Sequence, residues 1–485
     1  MATATIEPPA VRKAARPNLV IAVLAFAGMS ASFMQTILIP IQAKLPELLN
    51  ASRDDTAWVI TVTLLVSAIC TPVSGKLGDM YGKRRVAVVL LSVLITGSVI
   101  SALSPTVVPL IIGRGLQGTG MGVIPLGISI LRDTLPKVRL GSAIALVSAT
   151  LGVGGALGLP ISALVTEHFD WHILFWVAAC LGALALSLYL LVVPAGNGNL
   201  HGRFDLVGAI GLAIGLAGLL LAVSRGNEWG WTSVPTLTWL SVGVIGLIAW
   251  GWYELRQTNP LVDLRVGARG PVLMTNLASI AMGFALFSSS IVFPQLLQMP
   301  ESTGGLGLTL LSASLILMPS GLAMLAMSPV AGRLERRVGP KPLLVAGAVI
   351  ISAAYLAAVL LDLNMWLVLS INTVIGVGIG LGYAAMPTLI MQAVPIHETG
   401  AANGLNTLMR GLGTSIAAAV IAAVMANPAN KTAMGSVPSG SGFELALLYG
   451  LAAAILCAVL ATLIPRPKAV PEEEPALPED VLTAR

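Results

Sequence analysis

The sequence predicts an all-α polytopic membrane protein of fourteen transmembrane helices: two six-helix bundles related by pseudo-two-fold symmetry, with two inserted helices between them. Three observations carry this. Of 485 residues, 56% are apolar and 10% are charged, against roughly a quarter charged in a soluble domain. The apolar residues gather into fourteen runs of bilayer length, about 20 residues for a hydrocarbon core about 30 Å thick. A motif in the first half also returns, in register, in the second. An outer-membrane barrel is excluded, because the runs are long and lack the period-two alternation of lipid-facing strands.

In chain order the runs predict helices over 19–42, 56–78, 86–104, 107–131, 140–165 and 171–193, which form the first bundle (19–193). Helices over 205–224 and 236–254 follow within a linker spanning 194–270. The second bundle (271–464) has helices over 271–297, 308–334, 341–361, 365–390, 400–425 and 443–464. Residues 1–18 read as a cytoplasmic tail, and the run that follows is too long for a signal-peptide core, so it is read as an uncleaved span. Residues 465–485, rich in Pro and Glu, read as a disordered cytoplasmic tail.

An even number of spans puts both termini on one side. On that side fall 21 of the 27 Lys and Arg, while Lys44, Arg53, Arg225 and Lys431 fall on the other. Basic residues collect on the cytoplasmic side, so both termini are expected there, in a multi-pass protein of the cell membrane. The net charge of +5 punctuates hydrophobic segments and forms no basic face for nucleic acid. Cys70, Cys180 and Cys457 are isolated and read as small core residues. His168 and His172 flank Asp170-Trp171 and read as an interfacial turn, with no metal site expected.

The repeat pairs Thr71-Pro-Val-Ser-Gly-Lys-Leu-Gly-Asp-Met-Tyr-Gly82 with Ser328-Pro-Val-Ala-Gly-Arg-Leu-Glu-Arg-Arg-Val-Gly339, 257 residues later. Gly118-x-Gly120-x-Gly122 recurs as Gly378-x-Gly380-x-Gly382, and Gly141-Ser-Ala as Gly400-Ala-Ala. The stretch Gly75-Lys-Leu-Gly-Asp79-Met-Tyr-Gly82-Lys83-Arg84-Arg85 reads as a loop between the second and third spans. A glycine-shaped turn there would hold Asp79 against a helix N-terminus or a basic partner, latching one conformation; Arg84 and Arg85 serve equally as topology anchors. Arg336 replaces Asp79 in the second copy, so the latch is expected on one side only.

Arg114, with Gln117 one turn on, and Arg410 fall within spans. A charge at a helix centre costs about 2.5–3.5 kcal/mol on insertion scales, so each arginine is expected to face a watery cavity or a carboxylate, the alternative being a neutralised structural pair. On the fifth span, Gly154 and Gly158 have the spacing of close helix packing, and Pro160 introduces a bend suited to gating.

These elements resemble the major facilitator superfamily, and within it the fourteen-span drug:proton antiporter branch, over essentially the whole chain. The gate loop (Gly75, Asp79, Gly82, Lys83, Arg84, Arg85), Arg114-x-x-Gln117-Gly118 and the glycine-rich fifth span carry the resemblance, with Arg203-Phe204-Asp205 in the linker and Trp171 with Phe175-Trp176 at the sixth span. It implies a secondary active transporter exporting hydrophobic small molecules (drugs, antibiotics or lipophilic metabolites) by alternating access. Exchange for protons is implied, with the proton gradient as energy source, no cofactor and no enzymatic activity. The partners implied are a lipophilic substrate, protons and membrane lipid, for a monomer.

The branch commonly carries an Asp in its first span; here Ser32-Phe33-Met34-Gln35-Thr36-Ile37 has none. Coupling candidates are therefore Asp79, Asp133 and the Asp54/Asp55 pair, together with Arg114, Gln117 and Arg410. Candidate cavity residues are Gln35, Thr36, Asn276, Gln295, Asn372, Gln392, Asn406, Met282 and Met386, amides set in an apolar wall suited to a lipophilic ligand. The alternatives are an exporter or importer of one metabolite or lipid with different ion coupling, and, from another class, a membrane-embedded enzyme or a structural envelope partner.

Overall fold

The computed structural model describes residues 17–38, 41, 45–194, 204–301, 305–395, 398–426 and 440–465. Both tails, Arg203 and the side chain of Asp54 lie outside the described residues, except that the first helix begins at Pro17. Among the described residues there is no strand, and fourteen helices are long and apolar enough to cross a membrane. The first bundle comprises α1 (Pro17–Thr36), α2 (Trp58–Tyr81), α3 (Lys83–Ala102), α4 (Val107–Thr134), α5 (Arg139–His168) and α6 (Ile173–Val192). Next come α7 (Leu206–Gly226) and α8 (Val234–Glu254). The second bundle comprises α9 (Gly270–Gln298), α10 (Leu310–Val338), α11 (Pro340–Leu360), α12 (Met365–Ala393), α13 (Thr399–Met425) and α14 (Gly442–Leu463).

The two bundles repeat one packing scheme. In the first, α1 packs on α5 and α6, α3 on α4 and α6, and α2 on α4. In the second, α9 packs on α13 and α14, α11 on α12 and α14, and α10 on α12. Each bundle has its own apolar core. Between them α2 meets α13 and α10 meets α5, a pair exchanged by the same two-fold relation.

Equivalent residues repeat the details. Pro72 and Pro329 both lie inside their helices, and Gly82 (φ 100°) and Gly339 (φ 85°) make the turns that follow, a backbone region open to glycine. Arg84 donates to the Leu190 carbonyl at 2.6 Å, and Lys341 donates to the Ile464 carbonyl at 2.7 Å. Each cation thus satisfies a carbonyl at a helix C-terminus, where the helix dipole is negative.

The gate segment differs from expectation in one respect. It is not a loop: α2 stays helical through Tyr81, Gly82 alone turns, and α3 begins at Lys83, so Asp79 projects from the last turn of a helix. The junction forms the basic end of the bundle, with Arg132 at the end of α4 and Arg336 and Arg337 at the end of α10.

The inserted helices stand outside both bundles. α7 and α8 pack through Gly218 and Gly243, where backbones approach too closely for any Cβ: one built on Gly218 would lie 2.5 Å from the Gly243 nitrogen. α7 seats against α2 and α13 through Leu212, Leu216 and Leu220. α8, with Leu237, Ile245, Ile248 and Trp252 exposed, presents an apolar face to lipid.

Candidate functional site

The two bundles are clasped at the basic end, and the clasp starts from an acid at the end of α2. The Ala401 N–H donates to Asp79 Oδ2 at 3.1 Å. Ala401 is in the first turn of α13, where backbone N–H groups lack intrahelical acceptors and the helix dipole is positive. Close approach requires glycine: a Cβ on Gly400 would lie 2.6 and 2.8 Å from the two Asp79 oxygens. Gly75 faces the same turn, with its own added Cβ only 3.1 Å from the Ala401 nitrogen. Lys83 and Lys76 act on Asp79 as cations and Asp133 as a like charge. Lys83 in turn pairs with Asp133 at 2.5 Å.

The second copy also brings an acid to the facing helix start, but without a hydrogen bond to it: Glu335 Oε2 is buried with no partner among the described residues. Glu335 occupies the position equivalent to Gly78, one residue before Arg336, and directs its carboxylate at the start of α5. A Cβ on Gly141 would lie 2.9 Å from each carboxylate oxygen. Glutamate is one methylene longer than aspartate, and that reach offsets the one-residue displacement. Gly332, equivalent to Gly75, packs on Ser142 as Gly75 packs on Gly400. Arg132 adds a third tie: its guanidinium donates to Thr399 Oγ1 and, at 3.2 Å, to the Met391 carbonyl.

Glu335 and Arg132 were missed in the sequence. An acid displaced by one position in a repeat is the signal that would have found the first. Arg132 looks like any other basic residue at a helix end, and nothing in the sequence marked it.

Arg114 is 1% exposed and faces neither a cavity nor a carboxylate. Its Nη1 donates to the Met34 carbonyl at 2.6 Å and to Gln117 Oε1 at 2.8 Å, and Nε reaches the Val59 carbonyl at 3.4 Å. Met34 lies in the last turn of α1, whose carbonyls have no intrahelical donor, so the arginine caps a helix C-terminus. Gln117 continues the network to Ser98 at 2.8 Å, joining α4 to α1, α2 and α3. Arg410, 4% exposed, has its guanidinium carbon 4.7 Å from the Tyr383 ring centroid and donates from Nη2 to Thr407 at 3.0 Å; its Nε and Nη1 have no hydrogen-bond partner among the described residues.

The other candidate residues fall into separate places. Asp55 caps its own helix, its N–H donating to Ser52 Oγ at 3.0 Å and its carboxylate accepting from that hydroxyl at 2.8 Å. Gly154 and Gly158 pack α5 onto α1 against Ser32 and Thr36, and Pro160 is buried within α5. Asn406 donates to Asn276 at 3.0 Å and to Ser279 at 2.7 Å, and Ser279 donates to Met386 Sδ at 3.1 Å. Asn372 donates to the Leu317 carbonyl at 3.2 Å, and Met282 is buried under Gly382. These amides and methionines hold helices of the second bundle together. Gln295 and Gln392 are exposed near opposite ends of their bundle, while Gln35 and Thr36 are half-buried on α1. Of the residues expected to share one cavity, Asn276, Asn406 and Met386 meet through Ser279, whereas Gln295 and Gln392 stand apart. Among the described residues no group of three or more His, Cys, Asp or Glu could hold a metal.

The family model of the Major Facilitator Superfamily matches residues 24–418. The chain belongs to that superfamily. Its relatives include the multidrug resistance protein Stp of Mycobacterium tuberculosis, 27% identical over 77% of this chain and 69% of Stp. The lincomycin resistance protein LmrB of Listeria monocytogenes is 27% identical over 92% of this chain and 96% of its own length. LmrB of Bacillus subtilis is 28% identical over 89% of this chain and 92% of its own. A crystal structure of the human organic anion transporter MFSD10 (TETRAN) superposes with a TM-score of 0.64, covering 94% of this chain and 100% of that one, at 15% identity; this likeness concerns the fold alone. The chain is thus a multi-pass transporter of the major facilitator type with antibiotic-resistance relatives, and its family is one of transporters, not enzymes.

Proposed function

We propose that the protein exports hydrophobic small molecules, among them drugs, antibiotics or lipophilic metabolites, in exchange for protons, by alternating access between its two bundles. One observation carries the reading: acids at the ends of α2 and α10 meet the starts of α13 and α5 across the bundle interface, with Asp79 bonded to the Ala401 N–H. Such a clasp closes one end of the molecule and opens when the acid leaves the helix terminus. Protonation weakens it, because a neutral carboxyl gains less from a positive helix end than a carboxylate does. Antibiotic-resistance relatives support the substrate class, and the excess of basic residues at the clasped end supports its being cytoplasmic, with both termini there and the protein in the cell membrane. The cycle needs the substrate, protons and lipid, requires no cofactor, and fits a monomer.

Everted membrane vesicles energised by a pH gradient test this. Uptake of lipophilic dyes and antibiotics is expected to vanish with a protonophore and to fall in Asp79→Asn. Uptake indifferent to the protonophore would remove proton exchange from the reading.

A further inference from the structure

A second pair of acids, Glu254 buried and Asp205 half-buried, lies apart from the clasp, at the basic end of the inserted helices. Asp205 caps α7: the Gly208 N–H donates to its Oδ1 at 2.7 Å, and the Tyr253 hydroxyl donates to the same oxygen at 3.0 Å. Glu254 ends α8 and is 2% exposed; its Oε2 accepts from the Leu261 N–H at 3.0 Å, which ties down the linker into the second bundle. The remaining oxygens, Asp205 Oδ2 and Glu254 Oε1, are buried without a hydrogen-bond partner. Both face Gly208, where an added Cβ would lie 2.5 Å from the first and 2.6 Å from the second. The two oxygens are thus no further apart than those two distances laid end to end.

Two carboxylates whose free oxygens lie this close repel each other when both are ionised, and a proton held between them removes that repulsion. A hard divalent cation fits less well: it takes six or more oxygens, and two of the four carboxylate oxygens are already engaged. From α2, Lys76 acts on Glu254; from α8, Tyr253 meets Asp205. In the linker, Asp263 caps the short helix Leu264–Gly267 and Arg265 donates to the Leu255 carbonyl at 2.8 Å. α13 meets α7 with Leu405, Leu408 and Met409, which bring no charge.

We propose that Asp205 and Glu254 form a carboxyl pair that binds one proton and, while it is held, fastens the inserted helices to the linker. With the proton bound, one carboxyl donates to the other and the pair carries a single negative charge. When the proton leaves, through the cleft of about 700 Å³ that Asp205 lines with Gln257 and Asn259, two negative charges repel each other. The seam between α7 and α8 loosens.

Infrared difference spectra of the purified full chain in lipid nanodiscs, taken across a pH titration, test the pair, together with hydrogen exchange at the Leu261 amide. The expected result is a carboxylic-acid C=O band that persists at neutral pH, disappears in both Glu254→Gln and Asp205→Asn, and survives in Asp79→Asn. A band unchanged in both variants overturns the proposal, as does its disappearance on adding magnesium or calcium ions at constant pH, which would mark a cation site. Should neither variant fold, the wild-type chain decides: a one-proton step in Leu261 exchange supports the pair, and exchange that merely follows hydroxide contradicts it. Neither readout depends on transport, so a failed transport assay leaves this proposal standing.

Discussion

A guanidinium inside a membrane needs partners, and Arg114 and Arg410 meet that need differently. Arg114 finds backbone carbonyls, one of them at the end of α1, eighty residues away in sequence. Motif reading could place the arginine at depth but could not see this, because a carbonyl partner leaves no trace in residue identities. The expected outcome of Arg114→Gln is a loss of about 2 kcal/mol of stability, as for hydrogen bonds to a buried charge, measured by chemical unfolding in detergent micelles. Unchanged stability with lost transport would instead assign Arg114 to the transport step. At the other end of the bundle, Asp170 accepts from the His172 N–H at 2.8 Å and from the imidazole, and these bonds hold its carboxyl below the usual range. A depressed acid contributes stability above its unfolded pKa, and loses it as pH falls through the lower folded value. The turn should therefore stay intact as solution pH drops through the ordinary carboxylate range and open only below it. Trp171, stacked on His172 at 3.8 Å, reports this by fluorescence in a chain whose other tryptophans are replaced.

At the scale of elements, helix count and order were legible because hydropathy over bilayer length is a strong signal, whereas ends were not. α2 runs three residues past its expected end, because Lys76 and Asp79 lower local hydropathy without breaking the helix; only Gly82, at positive φ, breaks it. The glycines divide by the space they meet. Gly400→Val would push a side chain into the Asp79 carboxylate at a strain of about 1–3 kcal/mol, disfavouring the clasped state by about five- to 150-fold. Gly411, with nothing within 4 Å of an added Cβ, is the control: Gly411→Ala is expected to leave vesicle uptake unchanged. Equal effects of the two substitutions would mean that α13 responds to any added bulk, and not to contact with Asp79.

The whole molecule follows from the duplication. A motif repeated 257 residues apart announced two bundles, and the equivalent pairs Gly82/Gly339, Pro72/Pro329 and Arg84/Lys341 share their structural roles. Where the copies diverge by one position, as at Asp79 and Glu335, alignment by identity hid a shared task. The cavity was less legible, since Asn276, Asn372 and Asn406 serve helix contacts that look in sequence like ligand-binding amides. The central claim is that the two bundles part at the basic end when the acids release the helix starts. Spin labels at positions 139 and 338, exposed on α5 and α10 in a chain with its three cysteines replaced, measure that directly by electron–electron double resonance. The account expects Asp79→Asn with Glu335→Gln to move the distance distribution toward longer values than wild type. An unchanged distribution in a folded double variant would contradict it.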